Sequence, residues 1–68
     1  MAASEIEVDI NRGSQRQDKF RAHADPDSNG QLREVLAGWL DQERITDPEQ
    51  RRRYTLTTFT NRLITVHL

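Results

Sequence analysis

The chain has 68 residues, a formal net charge of −1 and no cysteine. That length holds one small domain, whose core supplies only about 3–5 kcal/mol net, so chains of this size commonly lean on a partner, a metal or a crosslink. Without cysteine there is neither a disulfide nor a thiolate metal site, and two histidines are too few for an all-histidine zinc site.

No apolar run approaches the roughly 20 residues that span a membrane. The opening Met-Ala-Ala-Ser-Glu-Ile-Glu lacks the basic and apolar regions of a secretory signal. These features lead us to expect a soluble, cytoplasmic protein with no membrane partner. Charge is segregated along the chain. Residues 1–30 carry six acids and four bases, residues 31–50 five and two, and residues 51–68 no acid and four arginines. A basic block against an acidic remainder serves internal complementarity, antiparallel dimer packing or a face for a polyanion.

Taken in chain order, apolar and acidic residues first alternate strictly from Glu5 to Ile10. Period two with β-branched residues predicts a short half-buried strand, which needs a pairing partner. Asn11-Arg12-Gly13-Ser14 breaks it. Residues 14–24 read as a helix, with Ser14 and Gln17 in capping-box spacing and Phe20 as the large apolar anchor. Asp25 to Gly30 is a turn by composition. Asp25-x-Asp27-x-Asn29-Gly30 resembles the opening of an EF-hand or dockerin calcium loop, with Leu32 at the apolar eighth position. The twelfth position is Leu36, which carries no carboxylate, so the stretch is read as a turn and helix cap and no metal site is assigned.

Leu32, Val35, Leu36, Trp39 and Leu40 fall on one side of a 3.6-residue helix, predicted over 30–44 with Ser28 as its cap. Asp47, Pro48 and Glu49 then make a strong helix start. A second helix over 48–65 places Leu56, Phe59, Leu63 and Val66 on a seam facing the first. Thr55, Thr57, Thr58, Thr60 and Thr65 oppose that reading, because β-branched threonine favours strands. The expected fold is therefore mainly α: an antiparallel helical hairpin over 28–68 with a polar arm over 1–27 that carries a short strand. The alternative is an α+β fold with strands near 5–10 and 63–68 paired together. The succession of strand and helices also resembles ribbon-helix-helix regulators in spacing. That resemblance implies a strand whose outward side chains meet DNA. Here those would be Glu5, Glu7 and Asp9, which repel phosphate, and the reading is not adopted.

A helical hairpin with these seams has more apolar surface than its two helices bury against each other. We therefore expect a non-enzymatic binding or regulatory protein that works through protein–protein contacts, as a homodimer or an adaptor. The contact residues would be Leu36, Trp39, Leu40, Phe59 and Leu63. The competing expectation is a nucleic-acid-binding regulator using Arg51, Arg53 and Arg62, arginines suited to phosphate. The chain has no cysteine nucleophile, phosphate-binding glycine loop or HExxH motif, and His23 and His67 stand apart from any nucleophile. No catalytic residue, cofactor or small-molecule substrate is assigned.

Overall fold

The structure, a computed structural model, describes residues 4–12, 17–60 and 62–68. Four strands, β1 (Ser4–Arg12), β2 (Gln17–Ala24), β3 (Tyr54–Phe59) and β4 (Leu63–His67), form one sheet. Their order is β2-β1-β3-β4, and every neighbouring pair is antiparallel. Between β2 and β3 the chain forms α1 (Asn29–Gln42) and the single turn α2 (Pro48–Arg51). The molecule is thus mostly antiparallel sheet with one long helix, and the expected helical hairpin is absent.

β1 presents Ile6, Val8 and Ile10 to one face of the sheet and Glu5, Glu7 and Asp9 to the other. The register carries this alternation across the sheet, since Val8 stands opposite Phe20 and Ile10 opposite Leu56. Leu56 in turn stands opposite Val66. α1 lies against this apolar face, and the core comprises Val8, Ile10, Ala24, Leu32, Leu36, Trp39, Leu40, Leu56 and Val66. The segment expected as a polar arm therefore supplies an inner strand and half of the strands. Together with β3 and β4 it covers the helical face that was expected to need another molecule.

α1 begins at Ser28, whose hydroxyl accepts from the Gln31 amide, as its sequence predicts. It ends in a Schellman motif, with Ile45 N–H donating to Leu40 O at 3.0 Å and Arg44 N–H to Asp41 O at 3.0 Å. Arg44 occupies the left-handed position of that motif at φ 61°, where glycine is the usual residue.

Two predicted helices are corrected. Asp47 does cap a helix, accepting from the Glu49 amide, but this helix stops at Arg51, and Tyr54–Phe59 and Leu63–His67 pair as antiparallel strands. The threonine-rich segment alternates, with Tyr54, Leu56 and Thr58 toward α1 and Thr55, Thr57 and Phe59 away from it. β-branching suits that pleat, and the helical seam breaks in two: Leu56 and Val66 are buried, Phe59 and Leu63 exposed. The alternative pairing of 63–68 with 5–10 is also corrected, because β3 lies between β1 and β4. Residues 17–24, expected as helix, form β2, with Phe20, Ala22 and Ala24 on the inner face and Lys19, Arg21 and His23 outward. Ser14, the proposed cap, lies outside the described residues.

Candidate functional site

Of the five residues expected to contact a partner, Leu36, Trp39 and Leu40 are sealed between α1 and the sheet. Phe59 and Leu63 are not. They face each other across the end of the β3–β4 hairpin, 69 % and 59 % exposed, on the sheet face away from α1. As direct cross-strand partners they support the hairpin end, and they leave an apolar spot open to solvent there.

The surroundings of this pair divide into two halves. Toward β2 the open face is satisfied by its own side chains. Gln17 Nε2 donates to Asn11 Oδ1 at 2.8 Å, and Asn11 Nδ2 donates to the hydroxyls of Thr55 at 3.1 Å and Thr57 at 2.9 Å. Lys19 reaches Glu7 at 3.6 Å and Arg21 reaches Glu5 at 3.5 Å, diagonal pairs in solvent that add little stability but neutralise the row. Toward β4 the face carries Leu63, Thr65 and His67, uncharged or weakly polar and all exposed.

The two edges of the sheet differ in the same sense. β2, one edge, carries Asp18, Lys19 and Arg21. Charged side chains on an edge discourage pairing with another chain. β4, the other edge, runs Leu63-Ile64-Thr65-Val66-His67 without Asp, Glu, Lys, Arg or Pro. This five-residue edge thus lacks the charges and prolines that commonly guard one. The sequence signal for this edge is the run of β-branched residues 64–66, which a helical reading of 48–65 obscures.

The arginines expected to touch nucleic acid do not share a face. Arg51 is engaged inside the fold: Nη1 donates to Asp41 Oδ1 at 2.7 Å and to Ile45 O at 3.0 Å, and Nη2 to Ala37 O at 3.3 Å. It thereby ties α2 to the carbonyl end of α1, where positive charge is favoured. Arg53 lies with Arg12, Gln50 and Tyr54 around an open hollow of about 220 Å³. Arg12 there is held by Glu43 Oε1 at 2.7 Å and by an ion pair with Asp18 Oδ2 at 2.7 Å, without an aligned hydrogen bond from Nε. Arg62 is exposed beside Leu63, at the far end of the β3–β4 hairpin.

Among the described residues no cluster of His, Asp or Glu could hold a metal, and no helix is long and apolar enough to cross a membrane. No protein-family model matches the chain, and neither the curated proteins nor the solved structures contain a match to it.

Proposed function

We propose that the chain is a small binding protein without enzymatic activity that acts through protein–protein contacts on the β3–β4 side of its sheet, as a homodimer or adaptor. The observation that carries this reading is the exposed Phe59–Leu63 pair beside an uncharged sheet edge. A protein partner suits this surface better than a polyanion does. Lys19 and Arg21 on the same face are paired with Glu7 and Glu5, and Arg51 is engaged within the fold, so these cations form no free basic stripe for phosphate. A few well-packed side chains near the centre of an interface supply most of its binding energy. The proposal includes a cytoplasmic location, which cell fractionation checks.

The test is the double variant Phe59→Ser, Leu63→Ser. Both side chains lie outside the core, so its melting temperature should stay within a few degrees of the wild type. Every association seen for the wild type, with itself or with a purified partner, should weaken at least tenfold. A folded double variant that keeps all of those associations would reject the surface.

A further inference from the structure

We infer that β4 is the site where a second copy of this chain adds its own β4, antiparallel and centred on Thr65, to form a continuous eight-stranded sheet. This rests on the protein-contact reading above and names the partner and the geometry.

Three observations select this arrangement. First, the two edges are unlike: β2 is guarded by charge and β4 is not, so only one edge of each copy is open to pairing. A single open edge builds a closed twofold pair rather than a fibre.

Second, β4 is complementary to itself. Residues that stand opposite one another in an antiparallel pair share a face of the sheet, so the register must preserve the pleat. Centring on Thr65 pairs all of Leu63–His67. Thr65 then meets Thr65 of the second copy, Leu63 meets His67 of the second copy, and Ile64 meets its Val66. The Ile64–Val66 contacts fall on the α1 side, where Ile64 and Leu68 are only partly covered within one copy. Arg62 falls opposite Leu68 of the second copy, so no charge is set against a like charge.

Third, the open face continues through the junction. Within one copy Asp9, Thr57 and Thr65 lie in one row across β1, β3 and β4. The second copy extends that row with its own Thr65 and Thr57, an unbroken line of threonines. Cross-strand threonine pairs favour such a sheet. Leu63, exposed in one copy, gains a neighbour in His67 of the second, and both Phe59–Leu63 pairs end on the same face.

The experiment measures mass by sedimentation equilibrium on the full chain and on variants at Thr65, whose side chain is exposed in a single copy. The wild type should reach twice the 7.9 kDa chain mass at about 100 μM. Thr65→Lys sets two ammonium groups face to face and should raise the dissociation constant at least tenfold, while Thr46→Lys, on an exposed loop residue, should not. Mixing Thr65→Lys with Thr65→Glu should restore the dimer.

A fourth variant stays decisive even if the lysine variant folds poorly. The chain has no cysteine, so Thr65→Cys introduces one thiol. Directly opposed residues of an antiparallel pair have Cα atoms about 4.5–5.5 Å apart, within disulfide range. Mild oxidation should link most of the Thr65→Cys chains in pairs and few of a Thr46→Cys control.

A wild type that stays monomeric to millimolar concentration overturns the inference but leaves a different protein partner for Phe59 and Leu63. A dimer that ignores Thr65→Lys and dissolves in the Phe59→Ser, Leu63→Ser variant also overturns it, and assigns the contact to the open face. Loss of association in neither variant rejects both readings.

Discussion

Arg12 of β1 lies over the indole of Trp39 on α1, its guanidinium carbon 4.8 Å from the ring centroid. Asp18 of β2 and Glu43 at the end of α1 hold the same guanidinium, and Tyr54 of β3 tilts against the indole at 6.1 Å between centroids. One side chain thus joins two strands to the helix at the open end of a small core. Arg12→Ala should lower stability by about 1–2 kcal/mol, read by chemical denaturation, and alter Trp39 fluorescence. Arg12→Lys should recover less than half of the loss, because an ammonium cannot both stack on the ring and reach two carboxylates.

Leu36 and Leu63 separate the core from the open face of the sheet. Leu36 is fully buried and Leu63 is 59 % exposed. Leu36→Ala should cost about 2–5 kcal/mol through lost burial and a residual cavity. Leu63→Ala should change the stability of a dilute single copy by less than about 0.5 kcal/mol. Equal losses at the two positions in denaturant titrations would contradict the described packing.

How these positions read in the sequence depends on which period dominates. Over 28–44 the helical period, the Ser28 cap and the absence of competing β-branched runs agree, and α1 is visible. Over 54–67 two periods coincide. Leu56 and Val66 are partners across a hairpin, and their separation also matches three turns of helix. The strand alternation is blurred because Thr58, a polar residue, takes a buried inner position. β2 is blurred in the opposite way, with Phe20 as its only large inward residue. A helical reading puts Phe59 and Leu63 on one seam with Leu56 and Val66, whereas the pleat parts the first two from the core. No local pattern announces the β4 edge, because which strand ends a sheet depends on pairing between distant segments.

Arg51 tests the engagement of a residue that a sequence reading assigns to phosphate. It makes three hydrogen bonds, to Asp41, Ile45 and Ala37. Arg51→Ala should destabilise the fold by about 1–3 kcal/mol, since two of its acceptors are backbone carbonyls partly withdrawn from water. Asp41→Ala should cost less than 1 kcal/mol, as Asp41 is 70 % exposed. Thermal melts of the two variants check the order.

Arg44 offers a stabilising change. Its φ of 61° is a strained value for a residue with a Cβ, while the Schellman bonds on either side fix the backbone there. Arg44→Gly should raise stability by about 0.5–1 kcal/mol, the relief of strain exceeding the added freedom of the unfolded chain. A fall in melting temperature would show that the Arg44 side chain makes a contribution the backbone geometry does not.

The most direct measurement is amide hydrogen exchange, residue by residue, at low and high protein concentration. If β4 is where the protein meets a second copy, those amides of 63–67 that point away from β3 become protected as concentration rises while the outward amides of β2 exchange at an unchanged rate. Equal behaviour of the two edges at both concentrations, or protection confined to β2, would contradict the assignment.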